Sequence, residues 1–436
     1  MRILLTLVIS TFWAFAAVAE TNIQEITSKG GITVWLVEEP SIPFIALDVG
    51  FKGGTSLDAP DKAGATYLMA GLLEEGSGKM DATAFSKATE ELASSFGFDA
   101  SRDDVSISAQ VLSENRVQAL TLLKQALMQP SFSKTAFERV KKQVISIVKS
   151  KLTNRNAIAS AKLRELAYPN HPYSQPVEGT LETVKNLTIE DIRAAYKGAL
   201  AKDRMYVSVV GDITAAEVGP MVDKLLGGLP AKGAPMPKKI KFGATGGLTV
   251  VDLNTPQTIA IWAGQGIDRN DPDFFAAYLM NYILGGSGFS ARLMTEVREK
   301  RGLTYGVYSY LAPYDYVSII GGSVSSANDR IKTAIEVIKQ EWGKMAKYGA
   351  TQKELDAAKK YQTGAYPLRF QGNGRIADML VGMQEQGLPI DYPKTRNGKI
   401  NAVTLDEVNK VAKRLLKPDA LRFVVVGKPD GLVSTD

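Results

Sequence analysis

TIEDIRAAYKGALAKDRMYVSVVGD, residues 188–212, lines up without a gap on TLDEVNKVAKRLLKPDALRFVVVGK, residues 404–428. Thr188 falls on Thr404 and Gly211 on Gly427, both at an offset of 216 residues. Each copy opens with a Thr, whose hydroxyl can accept from a first-turn N–H of a helix, and continues with acidic residues where the helix dipole favours them. An amphipathic helical run follows, then an apolar strand closed by Gly. A helix–strand unit repeated at this distance predicts a domain present twice.

The correspondence extends to the start of each half. Strand-like residues 44–49 match 258–262, and each is followed by a helical run, carrying Tyr67-Leu68-Met69 in one half and Tyr278-Leu279-Met280 in the other. Residues 229–246 hold Pro230, Pro235, Pro237, Gly243 and Gly246 and read as an exposed linker, stiff at Pro and hinged at Gly. In the first half, 32–37, 44–53 and 105–111 have strand patterns, and 62–75 and 84–96 have helical ones. Short turns between neighbouring strand patterns predict mostly antiparallel sheets with helices packed on one face. The expected fold is α+β, with two duplicated domains at 20–228 and 247–436.

Composition excludes several chemistries. The 436 residues include no Cys and one His, His171. Disulfides, Fe–S clusters and thiolate nucleophiles are therefore absent, and a conventional zinc site, which takes several His or Cys ligands, cannot be built from this chain alone. His171 lies in a turn-like Pro-Asn-His-Pro and reads as a surface or packing residue. The acidic pairs Glu74-Glu75, Glu90-Glu91 and Asp103-Asp104 read as solvated helix ends and loops. The net charge of +6 is mild and scattered, without the dense basic face that nucleic acid requires. Residues 1–19 have a basic start, an apolar run and Ala17-Val18-Ala19 before Glu20, the pattern of a secretory signal peptide cleaved near Ala19. The mature chain is expected in the periplasm, without a membrane span.

Two strings carry a family resemblance: AGATYLMAGLLEEGSG from Ala63, and LGGSGFSARLMTEVREKRGLTYGVYS from Leu284. Together with the leader and the two halves, they make the chain resemble the pitrilysin-type, inverted zincin metallopeptidases, in the short branch similar to processing peptidases. The resemblance covers essentially the whole mature chain. It implies a site built on H-x-x-E-H, in which two His one helical turn apart hold zinc and the Glu activates water. Here the His positions are Tyr67 and Gly71, the base position is Ala70, and the distal Glu ligand falls on or beside Ile147. A phenol, a hydrogen, a methyl and a sec-butyl group neither hold zinc nor take a proton from water. The resemblance therefore implies a chain with no metal and no peptidase activity of its own.

The second half retains more of the family pattern: a glycine loop at Gly285, Gly286, Ser287 and Gly288, then Arg298, then Tyr305 seven residues further on. Residues 290–301 read as helical, Gly302 is placed to end that helix in the left-handed conformation, and Tyr305 is expected to begin a strand through Tyr310. Both side chains could then project into one cleft, Tyr305 donating to an oxyanion and Arg298 adding positive charge. Composition alone makes Arg298 a solvated helix residue and Tyr305 a core aromatic, and the family spacing favours the functional reading. The glycine loop lacks the G-x-x-x-x-G-K-[ST] phosphate pattern and follows a helix. A tight helix-to-helix turn and a loop exposing N–H groups to a peptide fit it equally well.

The resemblance implies a noncatalytic subunit of a heterodimeric zinc metallopeptidase. A homologous H-x-x-E-H chain would carry the zinc, and peptides would be the substrates. The alternative is a non-enzymatic peptide-binding or scaffold homologue.

Overall fold

The two copies of the repeat fold alike. Thr188 and Thr404 cap the helices Ile189–Ala199 and Leu405–Leu415 through reciprocal capping boxes with Asp191 and Glu407. Each box satisfies backbone N–H groups that the first helical turn leaves unpaired. The strand that follows each helix lies inside a sheet. This computed structural model describes residues 22–435, so the leader expected at 1–19 lies outside the described residues.

The first sheet is built from β1 (Gln24–Thr27), β2 (Thr33–Glu38), β3 (Phe44–Lys52), β4 (Ser95–Ala100), β5 (Asp104–Leu112) and β6 (Met205–Gly211), in the order β1-β2-β6-β3-β5-β4. The second contains β7 (Leu248–Asp252), β8 (Gln257–Gln265), β9 (Val307–Pro313), β10 (Ser318–Ala327) and β11 (Arg422–Gly427), in the order β7-β11-β8-β10-β9. Without the extra edge strand β1, the two orders are the same. Pairing is antiparallel except between β2 and β6 and, at the equivalent place, between β7 and β11. Gly211 and Gly427 end β6 and β11 at φ 135° and 150°. An added Cβ would collide with Phe44 O in one half and Thr258 Oγ1 in the other. The glycine shared by both copies is a conformational and steric requirement.

Helices of each half cover one face of its own sheet. Leu47, Val49, Leu68, Leu72, Val140 and Val144 lie in the first core, and Trp262, Met280, Trp342 and Phe423 in the second. The other face is covered as well, which differs from the one-faced layer expected from the sequence. Helix Asn373–Glu385 of the second half lies on β3 and β6, burying Ala377 and Leu380 against Trp35, Ala46 and Val210. Helix Arg155–Ala167 of the first half lies on β8 and β11, with Ala159 and Leu163 against Ile259, Val424 and Val426. The halves thus exchange one helix each, at sequence positions close to the 216-residue offset. Gly50 in β3 permits the close approach, since a Cβ there would stand 2.6 Å from Val381 Cγ1. Ser208 Oγ and Gln384 Nε2 add hydrogen bonds across the contact, to Ala377 O at 2.7 Å and Val207 O at 3.0 Å.

Residues 229–246 contain no helix or strand. They are tied to both halves by hydrogen bonds from Ala234 N to Gly198 O, Ile240 N to Tyr316 O and Gly243 N to Ala167 O, and Phe242 and Ala244 are buried. The helix expected over 84–96 runs over Ala82–Glu91, because Ala93 turns to φ 46° and Ser95 starts β4.

Asp103 and Asp104 are half-buried, a correction to the solvated reading. They lie at the seam between the halves, where Tyr173 donates to Asp103 and Lys52 Nζ pairs with Asp315 at 3.0 Å and donates to Glu385 O at 2.8 Å. Burial raises Asp103 to about 6 and Glu385 to about 8. For Glu385, the charges of Asp104, Asp315 and Asp378 add to burial and Lys52 opposes it. A carboxyl raised in the folded state contributes stability at low pH that is lost as pH rises through its folded value. Between about pH 4.5 and pH 8, Glu385 should therefore lower stability progressively, by at most about 5 kcal/mol. Denaturant titrations at pH 5 and pH 9 should show Glu385→Gln gaining on the wild type at the higher pH. An equal difference at both values would refute this assignment.

Candidate functional site

Tyr67, Ala70 and Gly71, which the resemblance aligns with the metal and base residues, lie on helix Ala65–Leu72, which packs against helix Lys134–Lys151. Ala70 is buried, and a Cβ on Gly71 would make only an ordinary contact with Val140 Cγ1 at 3.5 Å. A Cβ is accommodated there, and neither Ala70 nor Gly71 carries a donor. Burial, with the charges of Glu178 and Asp99, pushes the Tyr67 phenol above its ordinary value and keeps it protonated. Ile147 is partly exposed beside the buried stripe Val140, Val144 and Val148. These residues do not fit zinc. Among the described residues no group of three His, Cys, Asp or Glu is placed to hold a metal ion. His171 is a packing residue: Nδ1 accepts from Tyr173 N at 3.2 Å, Nε2 lies 3.1 Å from Lys238 O, and the ring packs against Tyr173 and Tyr316.

Arg298 and Tyr305 line one cleft of about 750 Å³, together with Gln257, Glu299, Ser325 and Arg330. Arg298 sits in the last turn before Gly302, which takes φ 60° and donates to Arg298 O at 2.8 Å, the left-handed stop expected from the sequence. The turn is not a regular α-helix. Met294–Glu299 is wound as a π-helical segment, a form that often occurs at functional sites. Tyr305 lies in the loop before β9, which begins at Val307, so the strand expected from Tyr305 starts two residues later. Thr304 explains the loop. Its Oγ1 donates to Ser325 O at 2.6 Å and accepts from Gly306 N at 3.0 Å, pinning the turn to β10. The Tyr305 ring is left 88% exposed, so it is not the core aromatic that composition suggested.

The glycine loop divides in two. Gly285 is buried in a π-helical turn, Tyr282–Gly286, where a Cβ would stand 2.7 Å from Ser309 N. Its role is close packing on β9. Gly286 and Gly288 are exposed, and Ser287 is half-buried between them. None of the four lines the Arg298–Tyr305 cleft, but the adjoining Phe289 places its ring 4.8 Å under the Arg298 guanidinium. Thr304 and Arg330 were not legible as site residues in the sequence. Arg330 precedes helix Ile331–Tyr348 and reaches the cleft only because β10 runs beside β9.

Two family models match the chain: the insulinase family, peptidase family M16, over residues 33–181, and the peptidase M16 inactive domain over residues 186–361. The chain belongs to the M16 peptidase family. A crystal structure of a peptidase M16 inactive domain from Pseudomonas fluorescens superimposes with a TM-score of 0.86 at 28% identity, covering 94% of this chain and 99% of the other. The non-peptidase homolog YmxG of Helicobacter pylori is 26% identical over 427 residues, 98% of both chains. The uncharacterized zinc protease YmxG of Bacillus subtilis is 25% identical over 91% of this chain and 96% of its own. One of these relatives is thus named a non-peptidase homolog and another a zinc protease; this chain has Tyr67, Ala70 and Gly71 where the resemblance places the family's metal and base residues.

Proposed function

We propose that this M16 chain is the noncatalytic subunit of a two-chain zinc metallopeptidase, working in the periplasm after loss of residues 1–19. The observation that carries the reading is that Arg298 and Tyr305 line one open cleft in a chain whose described residues hold no group of three His, Cys, Asp or Glu placed for a metal ion. A homologous H-x-x-E-H subunit would supply zinc and the water-activating carboxylate. From this chain, the Tyr305 hydroxyl donates to the oxygen of the scissile carbonyl, and more strongly once that oxygen is an anion. Arg298 contributes fixed positive charge, held in place by the Phe289 ring. The exposed backbone around Gly286 and Gly288 is available to a peptide. Among the described residues no helix is long and apolar enough to cross a membrane.

Co-purification from the periplasmic fraction tests this. The expected result is this chain, starting at or near Glu20, in a stoichiometric complex with an M16 chain bearing H-x-x-E-H, with zinc present only when that partner is. Recovery of this chain from the cytoplasm with Met1 intact, or without such a partner, would overturn the reading.

A further inference from the structure

A second cavity, of about 360 Å³, shares no lining residue with the Arg298–Tyr305 cleft. It lies where helix Asn373–Glu385 leaves its own half, between helix Phe274–Asn281 and helix Tyr392–Ala402. Three arginines line it: Arg269, Arg369 and Arg396. None of them forms an ion pair among the described residues, and the one carboxylate in the lining, Asp378, is exposed.

Arg396 is the unusual member. It is only 6% exposed, yet its partners are neutral: Gln362 O at 3.1 Å, Asn397 Oδ1 at 3.2 Å and Tyr278 Oη at 3.5 Å, with the Tyr366 ring 4.2 Å from its guanidinium. A guanidinium taken out of water without a counter-charge is costly, and neutral acceptors offset only part of that cost. Arg269 is held similarly, by Tyr392 Oη at 2.7 Å and Gln386 Oε1 at 3.2 Å, over the Phe274 ring. Tyr366 is buried, and its enclosed hydroxyl has no hydrogen-bond partner. Unbalanced positive charge and aromatic walls coincide in a space of small-molecule size.

We propose that this cavity binds a small organic acid, its carboxylate held by Arg269 and Arg396 and its aromatic or branched apolar body lying against Phe274, Phe275 and Tyr278. Guanidinium forks match a planar carboxylate in bidentate geometry, and the ring-lined walls favour an apolar body over a bare inorganic anion. Arg369, exposed at the mouth, attracts the anion. The site is independent of the peptidase reading.

Calorimetric titration of the full mature chain tests this, using 3-phenylpropanoate, its alcohol 3-phenylpropanol, inorganic phosphate and the tripeptide Gly-Gly-Phe. The acid should bind saturably at one site, with the alcohol and phosphate each weaker by about tenfold or more. Arg269→Gln should weaken the acid by a similar factor. Arg396→Gln risks unfolding, so Arg369→Gln provides the second variant: being exposed, it should fold as wild type and bind the acid more weakly. Absence of saturable binding at millimolar acid, equal binding of acid and alcohol, tighter binding of phosphate, or unchanged affinity in both Arg269→Gln and Arg369→Gln would overturn the proposal. Preference for Gly-Gly-Phe would assign the carboxylate to a peptide end and overturn the free-acid assignment.

Discussion

Tyr305→Phe in the proposed two-chain assembly is expected to lower peptide turnover by a factor of about a hundred to a thousand, the loss typical of removing one oxyanion donor. The substitution deletes one hydroxyl and keeps the ring. Because that ring is 88% exposed, neither folding nor packing should change. The loss should fall on turnover far more than on substrate affinity, since the hydrogen bond strengthens as charge develops on the carbonyl oxygen. Arg298→Ala should act in the same direction, but it also removes the stack on Phe289 and is the less clean test. Steady-state kinetics of the mixed complex separate these outcomes. A wild-type rate from Tyr305→Phe would leave this chain as a scaffold without a part in the chemistry.

Leu380→Ala is expected to cost about 2–5 kcal/mol, the range for truncating a fully buried Leu. The site is informative because Leu380 belongs to the second half and is buried against the sheet of the first. Its loss should shift unfolding of both halves together, in one transition at lower denaturant. Two separate transitions, with only the second half affected, would show that the exchanged helices do not couple the halves. Calorimetry and denaturant titration followed by near-UV circular dichroism both measure this.

The duplicated architecture was legible because the repeat carries its own physical signals. Thr188 and Thr404 cap, and Gly211 and Gly427 stop, for the same reasons in both halves. The exchange of helices was not legible. Residues 155–167 show almost no amphipathic pattern and 373–385 only a modest one, so nothing local states which sheet receives their apolar side chains. Gly50 was the one available signal, a small residue in mid-strand, but it becomes meaningful only once Val381 is known to lie opposite.

At the site, Gly302 indicated the stop after Arg298 because a left-handed residue needs little context. The π-helical winding at Met294–Glu299 and the loop position of Tyr305 were hidden: the first depends on hydrogen-bond register, the second on Thr304 bonding to a strand twenty residues away. The acidic seam was misread for a related reason. Asp103 and Asp104 are adjacent polar residues in a turn, and only the packing of Tyr173 and Asp315 from other segments takes them out of water.

Hydrolysis of an unstructured peptide by this chain, by an H-x-x-E-H partner and by their mixture is the most direct measurement of the central claim. The account predicts no hydrolysis by this chain with or without added zinc, and a mixture much faster than the partner alone. Zinc-dependent hydrolysis by this chain on its own, or a mixture no faster than the partner, would contradict it.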